Sequence, residues 1–234
     1  MKKRAFSTNL VIGALALTLL NMSAAYAGGY KRFYEVTITN ITKGQTFTPQ
    51  LLATHTRNVS LFSVGQEASE ALGIMAEGGD TAPLTEDLQN LGYNVGDVQT
   101  IGGLLGPGQT ASMQLEAAPY QRELSVAAML IPTNDTFVAL NGGSLPFRGS
   151  RTFYLQAFDA GTEENDQLCI NIPGPRCGGE GVSEEPMPGD EGFIHISNGF
   201  HDLGDADEEG NERLTPFAYD WRNPVAKVVV TRVY

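Results

Sequence analysis

Apolar and polar residues alternate along much of this chain. Over residues 34–41 (YEVTITNI), Tyr34, Val36 and Ile38 share one face, while Glu35, Thr37 and Thr39 share the other. That is the pattern of a half-buried strand. Thr110, Ser112, Gln114 and Glu116 alternate in the same way with Ala111, Met113, Leu115 and Ala117. Residues 124–131 (LSVAAMLI) are nearly all apolar, which predicts a central strand covered on both faces. Further extended segments are expected over 47–53, 98–101, 136–140, 151–158, 193–196 and 225–234. Turn residues at Lys43-Gly44-Gln45, Pro132-Thr133-Asn134-Asp135 and Asn141-Gly142-Gly143 separate them.

The period changes over 59–77. Leu61, Phe62, Val64, Ala68, Ala71, Leu72, Met75 and Ala76 recur near helical spacing, and Gly78-Gly79 ends the run. A second short helix is expected over 80–91, capped by Asp80 or Thr81, with Pro83 early. About eight strands with two short helices inserted near the N-terminus predict a mainly β chain, an antiparallel β-sandwich with first and last strands as neighbours.

The first residues read differently. Lys2, Lys3 and Arg4 precede the apolar run 10–20, and Ala25-Tyr26-Ala27 is a cleavage pattern. Residues 1–27 are thus expected to be a secretory signal peptide and 28–234 a single domain. The apolar run is short for a membrane span, and no second segment of spanning length follows. The signal holds three of the fifteen basic residues and no acidic one, so the formal charge moves from −12 to −15 on its removal. A surface this acidic repels nucleic acid and suits cations or basic partners. Both cysteines, Cys169 and Cys177, lie in the exported part and flank a turn-rich segment, so a local disulfide is expected.

The chemistry concentrates after the strand 151–158. Asp159, Thr162, Glu163, Glu164, Asn165 and Asp166 crowd four carboxylates, an amide and a hydroxyl around Gly161. Such a set repels itself unless water or a cation screens it, and calcium takes six to eight oxygen ligands. A solvated acidic loop is the alternative, and the same pair of readings applies to a second acidic stretch, 202–212. Other motifs fail. The glycines of 102–108 lack the Gly-Lys-Ser/Thr of a phosphate loop and precede a strand. No Gly-x-Ser-x-Gly or His-Glu-x-x-His occurs. His195 alternates within a strand and reads as structural, whereas His201, at a turn, is the better candidate for metal or acid–base chemistry.

Several segments together resemble the spondin N-terminal domain, the extracellular module of F-spondin and mindin, in its bacterial single-domain form. They are Tyr34-Glu35-Val36-Thr37-Ile38-Thr39-Asn40; Leu61-Phe62 with Gly65 and Ala68-Ser69; Leu72 with Ala76-Glu77-Gly78-Gly79; Asn134-Asp135-Thr136-Phe137-Val138; Asp159-Ala160-Gly161-Thr162-Glu163; and Pro224-Val225-Ala226-Lys227-Val228. The resemblance implies a jelly-roll-like sandwich with one calcium ion held by Asp135, Asp159 and Glu163. Glu163 stands where the family often has Asp. It also implies a module for adhesion or recognition, without enzymatic activity. The expected protein is then a monomer, periplasmic or extracellular, with a protein or glycan partner and calcium as cofactor. A structural role in the envelope or matrix and a metal-dependent hydrolase are the alternatives.

Overall fold

The computed structural model describes residues 30–179, 181–182, 189–200 and 214–233. The expected signal segment, His201 and the stretch 202–212 lie outside them. Ten strands and three helices follow in order: β1 (Arg32–Asn40), β2 (Thr46–Phe47), β3 (Gln50–His55), α1 (Glu70–Gly78), α2 (Ala82–Asn90), β4 (Val95–Ile101), β5 (Thr110–Ala117), β6 (Glu123–Ile131), β7 (Thr136–Ser144), β8 (Ser150–Asp159), β9 (His195–Ile196), α3 (Pro216–Tyr219) and β10 (Ala226–Arg232).

The strands form one antiparallel path in the order β4-β3-β6-β7-β8-β10-β1-β5, with β2 on β6 and β9 on β8. First and last strands are neighbours, as expected, paired from Tyr34↔Arg232 to Asn40↔Ala226. The sheet curls so that its edge strands meet through side chains. Asp97 Oδ2 on β4 accepts from Glu116 N on β5 at 3.0 Å, and Thr54 Oγ1 donates to Glu116 O at 2.7 Å. The result is a sandwich close to a barrel, which shields both edges.

Strand alternation explains the two cores. Val36, Ile38, Leu115, Leu124, Val126, Val228 and Val230 fill the interior. Leu51, Ala127, Phe137 and Ala139 point the other way, against Leu72 and Met75 of α1 and Leu84 and Leu88 of α2. Strand β6 is therefore buried on both sides, which is why its sequence shows no polar face.

Three local expectations are corrected. Residues 59–69 are not helical. Leu61 N donates to Asn141 Oδ1 at 2.9 Å, Asn141 Nδ2 to Phe62 O at 2.8 Å and Gly65 N to Ile194 O at 2.7 Å. These long-range bonds replace the helical ladder, and helix α1 starts only where Ser69 Oγ accepts from Leu72 N. Asn141-Gly142-Gly143 is not a turn: β7 continues to Ser144 with a register shift between Leu124 and Val126, and Gly142 has φ +82°. The segment 47–53 divides at Thr48-Pro49, since Pro has no N–H for the ladder.

Candidate metal centre

Strand β8 ends at Asp159, opposite Thr136 at the start of β7. That register sets Asp159 beside Asp135. Gly161 then turns the chain at φ +67°; a Cβ there would lie 2.4 Å from Phe193 O. Only glycine fits both the dihedral and the close approach. The reversed segment wraps Asp135. Its Oδ2 accepts from Thr162 N at 2.8 Å and Glu163 N at 3.2 Å, and Ala160 N donates to Asp135 O at 3.3 Å. Asp135, Asp159 and Glu163 thereby enter one buried loop cluster, although sequence reading took them from two separate segments. Their exposures are 0%, 2% and 6%.

The loop is pinned from outside as well. Asn134 Oδ1 accepts from Gln167 N at 3.1 Å, and Asn134 Nδ2 donates to Asp166 Oδ1 at 3.0 Å. Asp166 Oδ2 accepts from Asn171 Nδ2 at 2.6 Å. Asp166 is therefore engaged in holding the loop. Beyond it, Cys169 and Cys177 form the expected disulfide, with Cα atoms 4.7 Å apart.

Not every carboxylate oxygen is satisfied. Asp159 Oδ1 accepts from Gly161 N at 3.0 Å and Oδ2 from Asn165 Nδ2 at 2.9 Å. Asp135 Oδ1 and Glu163 Oε2 are buried with no hydrogen-bond donor. Burial, then the neighbouring Asp159 charge, holds the Asp135 carboxyl well above the usual carboxylate range, against its two backbone donors. Burial raises Glu163 to about 8, with further repulsion from Glu77, Asp166 and Asp190. Both groups favour the proton because burial and neighbouring carboxylates disfavour the charged form. Orphaned hard oxygens in a negative field suit a divalent cation; of these three residues, Asp159 alone also belongs to a set of ligand atoms found within 4.8 Å of one another among the described residues.

A further group adjoins them. Strand β9 pairs His195 with Asp159 and brings its Nε2 to 3.5 Å from Asp159 Oδ1. Single ligand atoms of Asp159, Glu191 and His195 lie within 4.8 Å of one another, which makes them a possible metal-binding group. In the sequence His195 reads as a structural strand residue and Glu191 carries no signal of its own. Their proximity to Asp159 depends on β8–β9 pairing across more than thirty intervening residues, for which no local pattern exists.

One other pair invites a catalytic reading. His55 Nε2 lies 2.7 Å from Ser125 Oγ, but both residues are fully buried and Ser125 Oγ also accepts from Gly142 N. The pair cross-links adjacent strands β3 and β6 away from solvent. Burial lowers the His55 pKa, consistent with a neutral ring. Beside the acidic loop, a polar hollow lined by Thr133, Asn134, Asn165, Gln167 and Trp221 has room for about one water. No helix among the described residues is long and apolar enough to cross a membrane.

A family model described as Spondin_N matches residues 34–168. The match spans Asp135, Asp159 and Glu163 and ends before Cys169, Glu191 and His195. A search of curated proteins found no match. With more than half its length matched and an antiparallel sandwich around that stretch, the chain belongs to the spondin N-terminal domain family.

Proposed function

We propose that this chain is an exported recognition module whose acidic end is stiffened by one calcium ion, held by Asp135, Asp159 and Glu163. The observation that carries the reading is the pair of buried, donorless oxygens, Asp135 Oδ1 and Glu163 Oε2, beside Asp159. The ion would neutralise mutual repulsion and fix the loops after β6 and β8, without taking part in a reaction. Calcium suits an all-oxygen set with a reversed loop that can adapt its geometry. The disulfide favours an oxidising compartment, and the family is extracellular, so export is the expected fate and periplasm or cell exterior the destination. The partner is a protein or a glycan, met by a monomer through the ordered loops.

His195 favours a second reading. An imidazole nitrogen beside two carboxylates suits zinc better than calcium. Calorimetric titration of the metal-stripped protein with calcium, magnesium and zinc separates the two. One saturable calcium site, weakened by Glu163→Gln and indifferent to His195→Ala, supports the calcium centre. Zinc binding lost with His195→Ala and no calcium binding up to millimolar concentration would replace it.

A further inference from the structure

We propose that the opposite end of the sandwich is a binding site for a tetrahedral oxyanion, the sulfate or phosphate group of an ester. Three guanidinium groups gather over one ring. The Cζ atoms of Arg32, Arg148 and Arg232 lie 5.8, 5.7 and 5.5 Å from the centroid of Phe147. The fold places them there. Arg32 opens β1, Arg232 closes β10 beside Tyr34 of β1, and Phe147-Arg148 lies in the connection from β7 to β8. Arg232 N donates to Gly149 O at 2.9 Å and its guanidinium to Phe147 O at 2.6 Å, which fixes the ring against the strand end. A fourth guanidinium, Arg151 on β8, stacks 5.3 Å from Phe153.

No carboxylate among the described residues forms an ion pair with these guanidinium groups. Ion pairs among the described residues include Lys31–Glu116, Arg57–Glu123, His195–Asp159 and Arg222–Asp220. None involves Arg32, Arg148, Arg151 or Arg232. In a chain of formal charge −12, four arginines with no ion-pair partner among the described residues form a local exception. Stacking on a ring face offsets part of their repulsion and leaves guanidinium edges free to donate. Phe147 remains 65% exposed, so the edges are reachable.

The number of forks selects the ligand. One guanidinium saturates a carboxylate in a bidentate pair. An ester sulfate or phosphate has three terminal oxygens and can engage two or three forks together. An extended anionic sheet, such as a lipid surface, meets the repulsion of the remaining acidic surface. An isolated ester on a flexible carrier does not. The inference is independent of any metal at the acidic end.

The test is a calorimetric titration of the full exported chain at fixed ionic strength. The probes are glucose 6-phosphate, glucose 6-sulfate, glucuronate, glucose and inorganic phosphate, with phosphatidylglycerol vesicles in a sedimentation arm. Both esters should bind saturably, glucuronate about tenfold more weakly, and glucose not at all. Arg148→Gln and Arg232→Gln should each weaken ester binding about tenfold. Inorganic phosphate binding as tightly as the esters would assign the site to free oxyanion, and weaker binding would assign it to the ester; either supports the site. Equal affinity for glucuronate, indifference to both variants, or tighter capture by vesicles than by esters would overturn it. Arg148 is exposed in a loop, so its variant keeps the fold and the test stands even if Arg232→Gln perturbs the strand end.

Discussion

The two ends of this sandwich carry opposite charge, and they are built by different means. At one end Asp135 and Asp159 are buried at strand termini, and their neighbourhood is set by the β7–β8 register. At the other, Arg148 and Arg151 are exposed, and Arg32 and Arg232 are half-buried over an exposed ring. On β8 alone, Asp159 and Arg151 stand about 26 Å apart at ordinary strand rise. The buried charges cannot be rearranged without moving backbone, whereas the arginines are side chains laid on a finished fold. The acidic end should therefore answer to mutation and metal as a matter of stability, and the basic end as a matter of binding.

A matched pair of glycines tests that contrast most severely. Gly161 and Gly149 have nearly the same dihedral, φ +67° and +64°, but a Cβ at Gly161 meets the backbone of Phe193 and one at Gly149 meets nothing within 4 Å. Gly149→Ala carries only the left-handed strain of about 1 kcal/mol. Gly161→Ala adds overpacking against immovable backbone, for a total of about 3 kcal/mol. Chemical denaturation of both variants measures the difference, and equal losses would mean that the loop after β8 yields easily.

The cation effect comes next. At a hundredfold excess over its dissociation constant, an ion that binds only the folded state adds about 2.7 kcal/mol, or roughly 5–10 °C in melting temperature for a domain of this size. Asp159→Asn should abolish that increment. Without metal the same variant removes the charge that presses on Asp135 but also loses one of the two acceptors that take Gly161 N and Asn165 Nδ2, so its melting temperature should differ from the parent far less than in calcium. A variant that keeps the full calcium increment would dissociate Asp159 from the centre.

The contrast also explains what could be read in advance. Strands β1 and β5 were legible because each buries one face, so burial writes a period of two into the sequence. Strand β6 was legible because both faces are covered. The segment 59–69 misled for the same physical reason: Leu61 and Phe62 face one core at helix-like spacing while their backbone bonds to distant partners. Asp159 and Glu163 stood out as crowded charge, but Asp135 looked like an ordinary turn residue and was identified by family resemblance. Its closeness to Asp159 arises from hairpin register, not from local composition. Glu191 and His195 needed a second strand pairing still. The arginine end was invisible because its members are scattered from Arg32 to Arg232, each unremarkable in its own segment.

A further effect concerns pH. The carboxyls of Asp135 and Glu163 hold their protons more tightly folded than unfolded, Glu163 up to about 8. Between the ordinary carboxylate range and pH 8 the metal-free folded state binds more protons than the unfolded chain. Its stability from these groups is full at low pH and falls as pH rises through that window. Melting temperature of the stripped protein, followed from pH 5 to 8, should decline from this contribution, and the decline should be shallower in Glu163→Gln. Saturating calcium should flatten it, since the ion replaces the protons. A parent and variant with the same slope would remove Glu163 as its source.

The smallest expected effect is the most discriminating for the basic end. Arg148→Gln removes one of three like charges over Phe147 and so relieves repulsion, but it also loses a stacking contact of about 0.5–1 kcal/mol. Both terms are small because the group is exposed and its charge is screened by salt. They oppose each other, and Arg148 has no carboxylate partner among the described residues to strand. The net change in stability should fall within about 0.5 kcal/mol, with and without calcium. Denaturation midpoints of parent and variant, measured in both conditions, give the number. A loss above about 1 kcal/mol would make Arg148 a structural brace, and the basic end would then resemble the acidic one in being part of the fold. A near-zero change together with weakened ester binding would separate charge that serves recognition from charge on which the fold depends.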